Sequence, residues 1–442
     1  DASRMKFSTL TKPDLIESYE HKSKSLDWGQ AIAGETRHYL DWMYGINVSR
    51  ALTLAMKNAG IFKILSSGRV QGPALKLVVD KEKEITAFVP EKYWEIQVNA
   101  TIGTHPEIVE FWHEENAFSS ESEALTIYKK VQGKSGAITQ IQKNQFLQKA
   151  PTPFDLTTLQ IEAYRLFGIK PKHTLEIAQE LYTRGFISYP RTSSQKLPPE
   201  IKYKTIMDAL SKNSGYKELI ALIAKGPMIP TEGKKTDPAH PAIYPTGSLP
   251  KVADREFKIY DLIVKRFLSC FGTDAKRETV TVSMKILDEP FVAKGTRTVE
   301  KGWHLLYDPY VKLEEQELPT VKEHDAVHNK ETIKHDKETQ PPRRYSPASI
   351  IKELERRELG TKATRASILE SLYDRNYIKN ESIEATELGM KTIETLEKYC
   401  PEIIDEQLTR HFEIEMDKIR EKKFTQEGVL SEAKDTLTKI LT

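Results

Sequence analysis

Hydrophobic positions follow two different periods along the chain, and the period changes several times. Between residues 14 and 60, apolar side chains recur every three or four positions, as in "GETRHYLDWMYGINVSRALTLAMKNAG", which is typical of amphipathic helices. The Gly-containing loop "SSGRVQG" precedes another predicted helix, which begins at Pro73 because proline is favoured in a first turn. Beyond "FVPEKY" the period becomes two, so "YWEIQVNATI", "EIVEFWH" and "GAITQIQK" predict strands.

The helical period returns after Phe154. In "TTLQIEAYRLFG" the residues that share one face are Leu159, Ala163, Leu166 and Phe167, and Gly168 ends the predicted helix. The run "KHTLEIAQELYTRG" ends in the same way at Gly185. These two helices, followed by a third predicted from Pro198, resemble a helix-turn-helix unit.

A second strand-rich stretch and a final helical stretch complete the pattern. Residues 278–313 predict strands, and residues 321–346 are polar, broken by two prolines, and predict an interdomain connection. Ser346 and Pro347 predict the start of the last helical region, and Thr364 is a candidate N-cap for a later helix.

The order of these stretches predicts a multidomain α+β protein. A β module that is interrupted and then resumed implies that the chain leaves one domain, builds another and returns. The predicted regions are a first helical part (1–89), a first β-rich part (90–150), a helical domain (151–277), a second β-rich part (278–344) and a second helical part (345–442). Such crossings suit an arch or ring better than a row of independent domains.

Composition agrees with a folded protein but does not select a partner. The 442 residues are 38% hydrophobic and 29% charged, with a formal net charge of +2. Residues 163–200 carry six Lys or Arg against three acids, and residues 340–380 carry nine against five. Ordinary solvated helix faces explain such segments, and a localised phosphate-facing groove is the functional alternative.

The two cysteines and the longest apolar runs exclude some classes of protein. Cys270 and Cys400 are far apart and form no C-x-x-C pair, which excludes a zinc ribbon and fits a reducing cytoplasm. No apolar run approaches the ~18 residues that a membrane span needs. The first residues, "DASRMKFSTL", do not resemble a signal peptide.

The segment "RGFISYPRTSS" places a tyrosine, a proline and an arginine on a turn beyond a helix end. A free tyrosine hydroxyl has a pKa near ~10 and is a poor nucleophile at pH 7 unless a cation stabilises its developing charge. Arg191 can supply that charge and can bind two phosphate oxygens at once. Pro190 keeps the pair out of a helix. Most tyrosines are structural, however, so chemistry alone leaves Tyr189 as a core residue or a nucleophile.

The surrounding residues resemble those of type IA DNA topoisomerases. The similar segments, in family order, are "SSGRVQGPALKLVVDKEKEITAFVPEKYWEI", "KAPTPFDLTTLQ", "LYTRGFISYPRTSSQKLP", "DPAHPAIYPT" and "PPRRYSPASIIKELERRELGTKATRASILESLYDRNYI". The last segment is closest to archaeal-type members, of the topoisomerase I or topoisomerase III kind. The resemblance implies a toroid in which helical DNA-binding domains are joined by a β-rich arch.

The same resemblance implies a role for individual residues. Tyr189 would become covalently linked to a 5′ phosphate of DNA, and Arg191 would stabilise the transition state. The residues implied to contact DNA are Ser66, Arg69, Gln71, His240, Thr364 and Arg375. Bacterial members commonly have Arg-Pro-Ser-Thr at residues 361–364, so Lys362 is a candidate replacement for that arginine. His240 could instead be a buried, hydrogen-bonded histidine, and the other polar residues could be caps or surface groups.

The resemblance also implies parts that the sequence does not contain. Family members begin with a Toprim domain, which carries a catalytic glutamate and an acidic cluster for Mg²⁺, and neither pattern is found here. We therefore expect a metal-free chain that acts on single-stranded or underwound DNA, with Mg²⁺ held by a separate or truncated Toprim domain. The expected activity is relaxation of negative supercoils without ATP, in the cytoplasm and on the chromosome. A non-catalytic helix-turn-helix protein and the topoisomerase portion of a reverse gyrase remain alternatives.

Overall fold

The computed structural model describes residues 2–58 and 65–441. Its α-helices are α1 Lys12–Glu20, α2 Trp28–Asn58, α3 Gln71–Ala87, α4 Glu121–Val131, α5 Leu156–Phe167, α6 Pro171–Thr183, α7 Tyr203–Leu210, α8 Ser214–Ile223, α9 Asp254–Ser269, α10 His304–Tyr307, α11 Pro347–Arg356, α12 Arg365–Asp374, α13 Glu387–Tyr399, α14 Glu406–Arg420 and α15 Gln426–Leu441. The strands are β1 Lys92–Ile102, β2 Val109–His113, β3 Gly136–Gln148, β4 Ala275–Ile286, β5 Glu289–Glu300, β6 Ala326–Glu338, β7 Ile378–Lys379 and β8 Glu384–Ala385.

Six strands close into an antiparallel barrel in the order β1-β2-β5-β4-β3-β6. Long ladders join β3 to β4 and β1 to β6, whereas closure depends on short pairings such as Gly136 with Val327 and Trp112 with Val292. Alternate side chains point inward, as the strand period requires, and Val98, Phe111 and Phe291 are fully buried inside. The β-rich part is therefore a closed barrel.

The barrel confirms that a β module is interrupted and resumed. Its strands β1–β3 precede residue 150 and β4–β6 follow residue 274, yet they form one sheet. Two local predictions are wrong. The polar stretch predicted as an interdomain connection contains strand β6 (Ala326–Glu338), and "GWHLLY" is not strand but includes the short helix α10.

The helices inserted between β3 and β4 form the tyrosine lobe, defined here as residues 150–275 with residues 303–310. One hydrophobic cluster holds it together, with Phe154, Leu159 and Phe267 among its buried members. Asp155 caps α5 through a capping box with Thr158, as its short polar side chain favours. Trp303 and its neighbours belong to this cluster, although the sequence grouped them with the second β-rich part.

Helices α2, α3 and α11–α15 form the helical lobe, defined here as residues 28–87 and 345–441. Helix α3 packs with α11–α13 in one hydrophobic cluster, and α2 packs with α14 and α15 in another. Ser346 caps α11 as predicted. Thr364 stands at the start of α12 but gives it no side-chain cap, because its hydroxyl accepts the Thr361 N–H at 2.9 Å.

The three bodies form a closed circuit. The barrel is joined by the chain to both lobes, and the two lobes also contact each other directly through α5 and α11. This arrangement is what a ring requires. The predicted domain boundaries stay a prediction, and residues 6–17, predicted with the helical part, contact the tyrosine lobe. Among the residues that the structure describes, no helix has the length and apolar character needed to cross a membrane.

Candidate active site

The loop that carries Tyr189 starts where helix α6 is stopped by a glycine. Gly185 has φ +76°, and the N–H groups of Gly185 and Phe186 donate to the carbonyls of Tyr182 and Leu181 at 2.8 and 2.9 Å. A left-handed residue with these two bonds is a common helix end, and glycine adopts it without steric cost. Ile187 then forms an antiparallel bridge with Pro245, and the Tyr189 N–H donates to the carbonyl of Ser8 at 2.8 Å. The chain's first segment therefore fixes the backbone of the tyrosine.

The Tyr189 side chain is half-buried and lies between two other rings. Its ring centroid is 5.1 Å from that of Tyr182, edge to face, and 4.6 Å from that of His240. In the described ranges no residue forms a hydrogen bond with the Tyr189 hydroxyl. The ring is held by packing while the oxygen is left without a protein partner, which suits a reactive group.

Arg191 has no protein partner for its charge within residues 2–58 and 65–441. The side chain is half-buried, and its Nε is enclosed without a hydrogen bond. An enclosed donor that lacks an acceptor costs about 1–3 kcal/mol. An anionic ligand at this position would remove that cost.

His240 is enclosed but not satisfied by hydrogen bonds. Its Nδ1 is buried without a partner, which differs from the buried, hydrogen-bonded histidine considered as the structural alternative. Burial lowers the pKa of His240, an effect that Asp237 opposes and that Lys362, Lys6 and Arg4 reinforce. Burial therefore favours the neutral form of the imidazole.

Asp237 connects three parts of this site. Its Oδ1 accepts the N–H groups of Ala239 (2.9 Å) and His240 (3.2 Å), and its Oδ2 accepts the N–H (3.1 Å) and hydroxyl (3.0 Å) of Ser193. Its Oδ2 also pairs with Nζ of Lys362, which comes from the helical lobe. Burial raises the pKa of Asp237, but the bonds from Lys362, Ala239 and Ser193 outweigh burial and hold it at about 2.

Sequence reasoning missed Asp237 and was incomplete for Lys362. An aspartate that accepts from the N–H groups two and three residues later is a common turn device, so "DPAH" carried a local signal for this turn. Lys362 lies in the site, but its ammonium group is paired with Asp237 and is not free.

Ser66, Gln71 and Arg375 lie in a second group, on the helical lobe. Gln71 Nε2 donates to the Ser66 hydroxyl at 3.0 Å, and the Ser66 backbone exchanges hydrogen bonds with the Tyr377 hydroxyl at 3.0 and 3.1 Å. Arg375, exposed at the end of α12, lowers the pKa of Tyr377 against the larger effect of burial, which raises it. Ser66, Gln71 and Arg375 are therefore grouped around the buried Tyr377.

Thr364 adjoins this second group through Gly360. A Cβ at Gly360 would lie 3.2 Å from Val70 Cγ1 and 3.3 Å from Thr364 Oγ1, so the loops 65–71 and 360–364 are neighbours. The segment that contains Lys362 therefore lies between the second group and the tyrosine loop.

Arg69 is buried and ion-paired within the helical lobe. Its side chain is 1% exposed and forms ion pairs with Asp41 at 2.7 Å and Glu413 at 3.4 Å. A fully enclosed arginine with two acidic partners is typical of a structural residue. The contact with DNA predicted for Arg69 has no support in this geometry.

A cleft of about 900 Å³ runs beside His240. One wall is formed by residues 6–17, and the other by residues 194–206 and 236–248. The lining carries three lysines (Lys6, Lys196 and Lys202) against four acids (Asp14, Glu17, Glu200 and Asp237), so its charge is close to balanced.

The residues present do not fit a metal centre. In the described part of the chain, no group of three or more His, Cys, Asp or Glu side chains is placed to hold a metal ion. The Asp237 carboxylate, which bonds the tyrosine loop through Ser193, already has five hydrogen-bonding or ionic contacts.

A model of the DNA topoisomerase family matches residues 25–431. The chain belongs to the type IA DNA topoisomerase family. It is 47% identical to DNA topoisomerase 1 of Pyrococcus horikoshii over 446 residues and 45% identical to DNA topoisomerase 1 of Methanocaldococcus jannaschii over 445 residues. Both alignments cover 100% of this chain but only 65% and 57% of those relatives.

A solved type IA topoisomerase has the same fold. The full-length topoisomerase I of Thermotoga maritima superposes with a TM-score of 0.80 and 26% identity, over 99% of this chain and 73% of that one. The family match includes Tyr189, Arg191 and His240, together with the polar groups of the helical lobe. The type IA fold therefore accounts for the helical lobes joined by a β-rich body.

Proposed function

We propose that this chain forms the cleavage and strand-binding part of a type IA DNA topoisomerase. In the proposed reaction, Tyr189 breaks one DNA strand, a second strand passes through the ring, and the break is resealed. The product is DNA with fewer negative supercoils. The observation that supports this best is Tyr189 itself, half-buried in a family tyrosine motif, with the enclosed and unpartnered Nε of Arg191 two residues later.

The cleavage step conserves phosphoester bonds. The Tyr189 oxygen forms a bond to phosphorus, and the bond from phosphorus to the 3′ oxygen breaks. The phenol gives up one proton and the 3′ oxygen gains one, so the reaction is reversible and needs no ATP. Arg191, two residues after Tyr189, would bind the phosphate, because a planar guanidinium group can donate hydrogen bonds to two phosphate oxygens at once. The proton for the 3′ oxygen and any Mg²⁺ belong, in this proposal, to a Toprim domain.

Strand passage requires that the two lobes separate. The contacts between them include Lys362 with Asp237, Lys235 with Glu355 at 2.7 Å, Thr157 with Glu355 at 3.0 Å, and Lys170 Nζ at 5.8 Å from the centroid of the Tyr373 ring. The hydrophobic clusters of the two lobes are separate. Ion pairs can exchange with water and salt, so this interface supports an opening role.

Single-strand preference is part of the proposal. Ser66, Gln71, Thr364 and Arg375 would contact the backbone of the strand on the helical lobe, with His240 and Lys362 nearer the break. With DNA as its substrate, the protein would act on the chromosome, in the cytoplasm.

Family membership favours topoisomerase activity over the alternative of a non-catalytic helix-turn-helix protein. The reverse-gyrase alternative would show itself as ATP-dependent positive supercoiling once a helicase partner is added.

The decisive experiment is covalent trapping. We expect the chain, mixed with single-stranded DNA, Mg²⁺ and a separately supplied Toprim domain, to give an SDS-resistant protein–DNA adduct. Tyr189→Phe should abolish the adduct, because the ring is kept and only the attacking oxygen is lost. Tyr182→Phe is the matched control, since it removes the hydroxyl of the neighbouring ring. An adduct that persists in Tyr189→Phe would remove Tyr189 from the role of nucleophile.

Strand binding can be measured without cleavage. Each phosphate neutralised by a cation changes the slope of log K against log salt by about 0.7 for a single strand. We expect Arg375→Ala to weaken binding of a labelled oligonucleotide and to reduce that slope by about this amount. Arg356, on α11 and paired with Glu353, offers a control. Equal effects of Arg356→Ala and Arg375→Ala would contradict a specific contact.

A further inference from the structure

Asp237 is a buried charged group in the candidate site, and it takes no direct part in the proposed cleavage step. Its side chain is 0% exposed and all of its partners lie within three short segments. One segment is the tyrosine loop, through Ser193, two residues beyond Arg191. The second is the loop that carries His240. The third is the 360–364 loop of the helical lobe, through Lys362.

We propose that Asp237 is a positioning residue of the cleavage reaction, which fixes the tyrosine loop and the His240 loop against each other and seats Lys362 beside them. This inference rests on the proposed function. Asp237 does not touch the reacting atoms; it acts through the residues that it holds. The ring of His240 lies 4.6 Å from that of Tyr189, and the bonds from Ser193 and His240 to a single carboxylate keep both loops in register.

The chemistry of the contacts explains why an ionised carboxylate is needed here. Four N–H or O–H donors and one ammonium group converge on two oxygens. An amide could still accept from Ala239 and His240 through its oxygen. Its NH₂ group would face the donors of Ser193 and Lys362, which it cannot accept. The Asn variant therefore separates the tyrosine loop and Lys362 from the His240 loop with little change in volume.

The charges around His240 provide an independent readout. Burial lowers the pKa of His240, the Asp237 carboxylate raises it, and Lys362, Lys6 and Arg4 lower it. Asp237→Asn should therefore lower the pKa of His240, and Lys362→Met should raise it. Histidine NMR titrations of the chain alone can measure both shifts. A merely structural aspartate elsewhere in the lobe would move neither.

The principal test is the rate of adduct formation under single turnover, with the chain, Mg²⁺ and a separately supplied Toprim domain. Loss of a charge-assisted hydrogen bond to a buried group corresponds to a change of about 10- to 100-fold. We expect Asp237→Asn to lower the plateau rate by this factor, while the DNA concentration at half-saturation changes less than about threefold. A wild-type plateau rate in Asp237→Asn would overturn the inference.

Two further variants keep the test decisive. Glu232→Gln is the matched control, since Glu232 also accepts a backbone N–H (Leu197, 2.7 Å) and pairs with a lysine (Lys196, 3.2 Å) in the same lobe. It should keep the wild-type rate, and a loss equal to that of Asp237→Asn would overturn the positioning role. Should Asp237→Asn fail to fold, Ser193→Ala removes one donor and should lower the plateau rate severalfold, whereas an unchanged rate would count against the proposal.

The outcomes separate this inference from the proposed function. If wild-type chain forms no adduct, or Tyr189→Phe still does, the proposed function fails. If the adduct depends on Tyr189 but Asp237→Asn and Ser193→Ala both react at the wild-type rate, only the positioning role fails.

Discussion

The tyrosine lobe meets the barrel and the helical lobe through two junctions of different chemistry, apart from its contacts with residues 6–17. At the barrel, Trp303, Leu306 and Tyr307 are buried in the lobe's own hydrophobic cluster, and the Trp303 indole donates to the carbonyl of Gln148 at 3.0 Å. At the helical lobe, the contacts include ion pairs and hydrogen bonds centred on Glu355 and Asp237, and the hydrophobic clusters of the two lobes are separate. One junction is an extension of a core, and the other is a charged surface.

This difference indicates which junction can open. Burial of apolar surface is favourable by about 25 cal/mol per Å², and exposing that surface to water again costs the same free energy. Ion pairs that are partly exposed contribute little, because water and salt replace the partner. In the proposed strand passage, the tyrosine lobe should therefore pivot at the barrel and part from the helical lobe.

The largest expected effect comes from breaking the barrel junction. Trp303 is 8% exposed, and truncation of a buried tryptophan costs about 3–5 kcal/mol. We expect Trp303→Ala to lower the free energy of unfolding by this amount in denaturant titrations followed by circular dichroism.

Trp42→Ala gives the matched comparison. Trp42 is 58% exposed on α2, and its loss should change stability by less than about 0.5 kcal/mol. Equal losses in the two variants would show that the barrel junction is no more cohesive than an exposed helix face.

The sequence predicted the tyrosine loop but not strand β6 of the barrel, and the reason is physical. Local signals identified the tyrosine loop, because Gly185 and "SYPR" are neighbours in the chain and the helical period ends there. Strand β6 was missed since its sequence, "AVHNKETIKHDKE", has one fully buried side chain, Val327, and alternation of polar residues carries no hydrophobic signal.

Long-range pairs were beyond sequence reasoning altogether. Lys362 meets Asp237 across 125 residues, and Arg69 meets Asp41 and Glu413 across 28 and 344 residues. No local pattern records which acid a given cation will find. The ion pairs of Arg69 and the contact of Asp237 with Lys362 are therefore known only from the structure, and the DNA contact that the family resemblance implies for Arg69 stays a prediction.

Acid should weaken the charged junction before the apolar one. The pKa of Asp237 is held at about 2, below its ordinary value of 3.8. Because the folded state has the lower pKa, its stabilisation is complete above pH 4 and disappears as the pH falls towards 2. The difference corresponds to about 2 kcal/mol.

Thermal unfolding of the wild-type chain and Asp237→Asn can check this sign. The stability gap between them should be widest at pH 5–7 and should shrink by about 2 kcal/mol at pH 2. Exposed Glu387→Gln should show a much smaller gap. If the stability gap between wild type and Asp237→Asn is constant with pH, these contacts do not lower the pKa of the Asp237 carboxyl.

The smallest expected effect concerns Lys235, which bridges Glu355 of the helical lobe and Asp155 of its own lobe. Its side chain is 42% exposed, so water and salt screen the pair, and Lys235→Met should remove at most about 0.5–1 kcal/mol.

Two fluorophores, one on each lobe, would report separation of the lobes by energy transfer. We expect Lys235→Met to shift the lobes apart at low salt, and the wild-type chain to approach the variant as ionic strength rises and the screening length falls below about 10 Å. Lys391→Met removes an exposed ion pair that lies wholly within α13, so it should leave the distance unchanged. If Lys235→Met and wild type give one distance at every salt concentration, the charged contacts do not govern separation, and the opening junction must be sought at the barrel instead.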